Sequence, residues 1–337
     1  MNSSFNIPVA LFIFKRKDSV LKILEVLAKV KPSKIYLLSD GGRNEDEKKI
    51  VDECRFAIEE AISWNCEIVK KYHTENVGVY SNIADGAKWV FSQEEKAIFL
   101  EDDNLPEETF FEYCECLLNK YRLDSRILWV CGSNYLEEVE TSDNSSYFFT
   151  QNMLPCGWAS WAYKFNNYYD GELKLWKSEY LKNRIKDEYL VKKLYKQDRY
   201  NIEYELEHKN KTGRFYSWDY QMSFSMRVHN VYAVVPKYNQ IKNIGVDNNS
   251  THGGNSLDNV MVERFCERKT KKLEFPLTHP QTVLIDIPLD KKLANIIIDP
   301  SFYSLKAIVS RTLRDVFKID KSMSISTYFK TLKNGKK

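Results

Sequence analysis

Along the first hundred positions, short solid runs of apolar residues alternate with longer segments patterned at helical spacing. Ile7-Pro-Val-Ala-Leu-Phe-Ile-Phe14 is the first run, the pattern of a parallel strand covered on both faces. After Lys15-Arg16-Lys17, Asp18-Ser19 offers a cap and Val20, Leu21, Leu24, Leu27 and Val30 recur at helical spacing before Pro32, so a helix is predicted there. Lys34–Ser39 reads as a second strand ending in Asp40-Gly41-Gly42, about 45–63 as a long charged helix and Cys66–Tyr72 as a third strand. A loop from His73 to Gly78 leads to a helix over about 80–92, and a fourth strand spans 96–100. Strand and helix in strict alternation predict an α/β fold with a parallel sheet flanked by helices.

The fourth strand runs directly into Glu101-Asp102-Asp103. Ligands of open α/β sheets bind outside the carboxyl ends of the strands, and carboxylates gathered there call for a cation or for hydrogen-bond donors. A hard divalent cation shared with a diphosphate is the fitting ligand; a solvated acidic loop is the plain alternative. Pro106 and the acids after it read as the first turn of a helix reaching about 122. No Gly-x-Gly-x-x-Gly follows the first strand and no Walker motif occurs, so a glycine-rich phosphate cradle is not indicated.

Farther along, Ile127–Ser133 and Tyr147–Thr150 read as strands, and Pro155-Cys-Gly-Trp-Ala-Ser-Trp161 as a Gly/Trp-rich turn. There Gly157 would admit close approach of a ligand and Trp158 would offer a stacking face, while Trp161 reads as core. Residues 166–213, rich in Tyr and Lys, read as a mostly helical lid or acceptor-facing insertion. Ser217-Trp-Asp-Tyr-Gln221 opens a helix, with Asp219 either a first-turn dipole partner or a catalytic carboxylate. Tyr232–Pro236 is the last clear strand. His208 and His229 read as surface or core residues.

The net charge of +3 over 337 residues gives no global pointer to nucleic acid. Residues 302–337, however, hold nine Lys/Arg against Asp315 and Asp320, interleaved with an apolar stripe through Leu305, Ile308, Val309, Leu313, Val316 and Phe317. Such a helix docks on its own domain or lies on an anionic membrane surface. Seven cysteines at irregular spacing argue against a disulfide framework. The first apolar run is too short for a spanning helix and lacks a leader's flanks, and no stretch approaches about 20 apolar residues. The expected location is the cytoplasm, with peripheral contact at the inner face of the cell membrane.

Taken in order, these stretches resemble a GT-A fold nucleotide-sugar glycosyltransferase, most closely the N-acetylglucosaminyltransferase I family and its bacterial relatives, over roughly residues 5–255. The resemblance implies that Arg16 helps hold the uridine, that Asp40 contacts the base and that His73 contacts the nucleotide. Glu101-Asp102-Asp103 resembles that family's Asp-x-Asp motif, which implies that Asp103 is the protein ligand of Mn²⁺ (or Mg²⁺), with Glu101 and Asp102 ordering ribose or metal-bound water. Pro155-Cys-Gly-Trp158 is similar to a turn beside the donor sugar, and Ser250-Thr-His252-Gly to a segment near the diphosphate. There His252 is a diphosphate donor, a second metal ligand or a plain loop residue.

Two departures matter. Where that family has Trp-Asp-Asp-Trp, this chain has Trp218-Asp219-Tyr220-Gln221; Asp219 is then the base, unless the register slips by one to Tyr220. Animal members also carry an N-terminal anchor, whereas this sequence starts at the first strand, so membrane contact would fall to the basic tail. The implied layout is a transferase domain over 1–255, divided into a nucleotide-sugar-binding half (1–133) and an acceptor-side half (134–255), followed by an extension over 256–337. The implied activity is metal-dependent, inverting transfer from a UDP-sugar to a glycan or lipid-linked acceptor in surface polysaccharide synthesis. A sugar-nucleotide pyrophosphorylase and a non-catalytic carbohydrate-binding protein are the alternatives.

Overall fold

The computed structural model describes residues 5–246, 260–321 and 323–334. The predicted alternation is present: β1 (Val9–Ile13), α1 (Lys17–Val30), β2 (Lys34–Ser39), α2 (Glu45–Ala61), β3 (Glu67–Tyr72), α3 (Gly86–Phe91, entered through a π-turn at Ser81–Asp85) and β4 (Lys96–Glu101). Every residue of β1 is buried, as a central parallel strand requires. Asn44 caps α2 by accepting from the amide of Glu47 at 2.9 Å. Beyond β4 come β5 (Asn104–Pro106), α4 (Thr109–Lys120), β6 (Ile127–Cys131), β7 (Tyr147–Thr150), β8 (Trp158–Trp161) and α5 (Ala162–Tyr168). The insertion holds α6 (Glu179–Ile185) and α7 (Lys192–Thr212), and α8 (Asp219–Val228), β9 (Tyr232–Pro236) and β10 (Ile241–Asn243) follow. The last part contains α9 (Val260–Phe265), α10 (Ile287–Ile297), α11 (Leu305–Phe317) and α12 (Ile325–Asn334).

The main sheet has eight strands in the order β3-β2-β1-β4-β8-β6-β9-β7, and β5 pairs with β10 in a separate two-stranded sheet. The β1, β2, β3 and β4 neighbours are parallel. β8 lies antiparallel between β4 and β6, so its entry end sits at the same sheet edge as the exits of β1, β2 and β4. That reversal brings the 155–157 turn beside the acidic triplet.

Two expectations change here. Residues 158–161 form a buried strand rather than the end of a turn. Pro106 closes β5, which pairs antiparallel with β10, and the helix starts three residues later at Thr109. Proline suits that short ladder because it needs no amide donor there.

Helices cover both faces of the sheet, over two apolar cores. Leu273 and Leu277 from the later part join one core, and Leu289, Leu293 and Ile298 the other. Among the described residues, no helix is long and apolar enough to cross a membrane.

Candidate functional site

A cleft of about 870 Å³ opens at the carboxyl edge of β1, β2 and β4, near the upper end of the range for ligand pockets. Its floor is Arg16, Asp40 and Glu101-Asp102-Asp103, and its opposite wall comes from α7 and the start of α8.

Chain geometry positions the triplet. β5 and β10 pair directly after it, and the Ile244 amide donates to the carbonyl of Asp103 at 2.8 Å. Asn104, buried at the turn, organises the rest: its Oδ1 accepts from the amides of Gly157 at 2.8 Å and Glu101 at 3.2 Å, and its Nδ2 donates to Asp103 Oδ1 at 2.7 Å. Gly245 packs so closely that a Cβ there would overlap Asp103 Oδ2.

Arg16 Nη1 donates to Asp102 Oδ1 at 3.0 Å and to Asp103 Oδ2 at 2.8 Å, and the Phe14 amide donates to Asp102 Oδ2 at 3.2 Å. One guanidinium does not neutralise this group. Burial, with repulsion from Asp103, pushes Asp102 up to about 6 despite Arg16. Burial and then the charges of Asp103, Asp102 and Asp219 hold Glu101 well above the usual carboxylate range, and burial raises Asp103.

Raised in this way, the buried carboxyls resist ionising together, a cost that a bound divalent cation would relieve. Among the described residues, no group of three or more His, Cys, Asp or Glu side chains forms a ready cage. Asp102 and Asp103 are the residues here that could hold Mg²⁺ or Mn²⁺, ions that need only one or two carboxylates when phosphate completes the shell.

The structure treats the other expected residues differently. Asp40 lines the cleft, yet its carboxylate accepts from Gly41 N, Val77 N, Asn76 Nδ2 and Gly78 N at 2.8–3.0 Å. With its lone pairs so engaged, it ties down the 76–78 loop instead of presenting a free acceptor to a base. His73 is held through its backbone, donating to Ser39 and accepting from Arg55, and is not among the residues lining the cleft.

Gly157 has φ +62°, and a Cβ there would meet Ile241 at 2.6 Å, so the close approach it permits is that of the protein itself. Trp158 offers no face to a sugar: it is 1% exposed and stacked between Phe99 and Trp129, each at 4.0 Å between ring centroids. Trp161 is buried too, its Nε1 donating to the carbonyl of Leu118. His252 and its neighbours 250–253 lie outside the described residues.

Asp219 stands at the first turn of α8 and faces the cleft, with Ser217 Oγ donating to it. Tyr220 also lines the cleft, so both registers considered for the base fall inside it. Glu205 on α7 accepts from the amides of Tyr216 at 2.8 Å and Ser217 at 3.1 Å, fixing the loop that presents Asp219. Burial pushes Glu205 up to about 7, and likewise Asp198, which accepts from the Tyr189 hydroxyl at 3.0 Å.

The sequence reading makes this insertion a lid or acceptor-facing element but names no site residue on it. Gln197, Asp198, Asn201, Tyr204, Glu205 and His208 all line the cleft from α7, so His208 is a cleft residue and not simply surface or core. The spacing i, i+1, i+4, i+7, i+8, i+11 is a polar stripe on one helical face, a signal present in the sequence.

No known protein-family profile matches the chain, and no curated protein matches it in sequence. Solved structures align with it at low similarity. A UDP-glucose pyrophosphorylase complexed with UDP-glucose is 11% identical, with 44% of this chain and 64% of that chain covered and a TM-score of 0.27. An apo UDP-glucose pyrophosphorylase is 10% identical, with 70% and 93% covered and a TM-score of 0.35. The 4-diphosphocytidyl-2C-methyl-D-erythritolsynthase from Anaerococcus prevotii DSM 20548 is 13% identical, with 52% and 79% covered and a TM-score of 0.32. The chain therefore spans just under two thirds of the first of these proteins. What the fold itself establishes is an α/β architecture with a mostly parallel central sheet flanked by helices.

Proposed function

We propose that this protein is a glycosyltransferase that moves a sugar from a UDP-sugar to a hydroxyl of a glycan or lipid-linked acceptor, as in surface polysaccharide synthesis. One observation carries the reading: Asp219, at the first turn of α8, faces the acidic triplet in a cleft roomy enough for donor and acceptor.

Asp103, with Asp102 beside it, would hold Mg²⁺ or Mn²⁺ once Arg16 yields part of its contact. The ion would supply Lewis-acid stabilisation of the departing diphosphate. Arg16 is placed to add a second positive charge at the same spot. Asp219 takes the proton of the acceptor hydroxyl while that oxygen bonds to the anomeric carbon, and the bond from that carbon to the diphosphate oxygen breaks as UDP leaves. One base and one displacement invert the anomeric centre. Glu205 acts at one remove, by fixing the backbone that presents Asp219.

The pyrophosphorylase reading is kept as the second arm of the test. Against it stands the exit of β1: Phe14-Lys15-Arg16 passes straight into α1 with no glycine-rich loop to cradle a triphosphate.

Purified protein with Mn²⁺ is given a panel of UDP-sugars, and UDP release is followed with and without oligosaccharide acceptors. The reading expects release stimulated by an acceptor and reduced about 10²–10⁴-fold in Asp219→Asn, the usual worth of a general base. Synthesis of UDP-sugar and pyrophosphate from UTP and a sugar 1-phosphate would replace it with the pyrophosphorylase. Carbohydrate binding without either reaction would make the protein a lectin-like module.

A further inference from the structure

α11 is amphipathic the wrong way round for a helix that merely closes a domain. Leu305, Ile308, Val309, Thr312 and Val316 occupy one stripe at i, i+3, i+4, i+7 and i+11, and all five are exposed, Leu305 at 79% and Val316 at 66%. Phe317 at the helix end is exposed as well. Ala307, Ser310, Arg311 and Arg314 on the opposite side are half-buried against the protein, and so is Leu313, which the sequence pattern places on the apolar stripe.

Polar contacts hold this orientation. The Arg311 guanidinium lies 3.7 Å from the centre of the Phe302 ring, and Arg314 Nη1 donates to the carbonyls of Asp320 at 2.6 Å and Met323 at 2.8 Å. The turn after the helix is then anchored on α7, through Lys321 with Glu203 and Glu207 and through Lys211 with Asp320. The apolar stripe is therefore presented outward by a fixed set of interactions.

We propose that this face docks on an anionic lipid bilayer. Charge complementarity selects that occupant. Lys306 and Asp315 on α11, Lys318 at its C-cap and Lys330 on α12 are exposed, whereas Arg311, Arg314 and Lys321 are engaged within the protein, so the exposed charge here is basic by three to one. An amphipathic helix with outward apolar residues rimmed by lysines binds the headgroup boundary through buried apolar area and attraction to anionic lipid. A second copy is disfavoured by the same charges, since a two-fold contact through this stripe would set the lysine-rich segments of both copies together. The 3₁₀ turn just before α11 contributes Phe302 to the cleft wall. The proposal stands apart from the transfer reaction, because binding needs neither nucleotide nor metal.

Flotation of the full chain with vesicles of phosphatidylcholine, or of phosphatidylcholine mixed with phosphatidylglycerol, tests it. Wild type is expected to float with the anionic vesicles and to be released by high salt. Ile308→Glu/Val316→Glu stays in solution with an unchanged melting temperature. Lys306→Glu/Lys318→Glu, which keeps the apolar stripe, binds at least about tenfold more weakly, because each lysine near the surface contributes to binding. No flotation, equal flotation with neutral vesicles, or undiminished binding of Ile308→Glu/Val316→Glu overturns the proposal. A dimer seen by light scattering and dissolved by that double variant assigns the face to a second copy instead.

Discussion

Arg16 bridges Asp102 and Asp103 with one nitrogen, so its removal leaves buried carboxylates facing one another. Breaking a buried ion pair by deleting one partner typically costs about 3–5 kcal/mol. Arg16→Met is expected to lose stability of that order in urea unfolding without metal, and to regain part of it when Mn²⁺ is added. Asp198 makes a prediction of a different kind. Its carboxyl is pushed up to about 7 from an ordinary value of 3.8, so between those pH values the unfolded chain releases the proton first. The residue therefore removes stability as pH rises through that window, and the loss is complete above about pH 7. Asp198→Asn, which has no proton to lose, should gain stability over wild type from pH 5 to pH 8, read from urea midpoints at both; a constant difference would contradict the assignment. At this scale the sequence reading of Asp40 and Trp158 differs from what their side chains touch. Asp40 and Trp158 were visible as residues with a purpose, but the four donors around one and the aromatic stack around the other come from segments distant in the chain.

The elements were far easier to read. Buried strands appear as solid apolar runs, and both β2, parallel to its neighbours, and β7, antiparallel to β9, lie where the runs place them. β8 escaped because a four-residue strand preceded by Pro, Cys and Gly looks like a turn until β4 and β6 lie on either side of it. The polar stripe of α7 was present in the sequence but hidden, since a helix with Tyr, Lys and Glu on all sides shows no sharp apolar face against which polar positions stand out. If β8 is a core strand, Trp158→Ala should cost about 3–5 kcal/mol in stability, as for other buried aromatics. A stable Trp158→Ala protein that had lost only affinity for the donor would restore the sugar-stacking reading.

The whole molecule gathers charge at two sites. The carboxyl edge of the sheet concentrates buried negative charge beyond what Arg16 offsets, and the tail displays positive charge around an outward apolar stripe. We propose a metal with its diphosphate at the first and an anionic lipid surface at the second. The central claim is that Mn²⁺ and UDP bind together at Asp103. Thermal melts of the full chain with UDP alone, Mn²⁺ alone and both, on wild type and Asp103→Asn, measure it. Each ligand present at about 100 times its dissociation constant and bound only by the folded state adds about 2.7 kcal/mol. The account predicts a stabilisation by UDP that requires Mn²⁺ and disappears in Asp103→Asn. An equal shift by UDP without metal, or one that survives in Asp103→Asn, would contradict it.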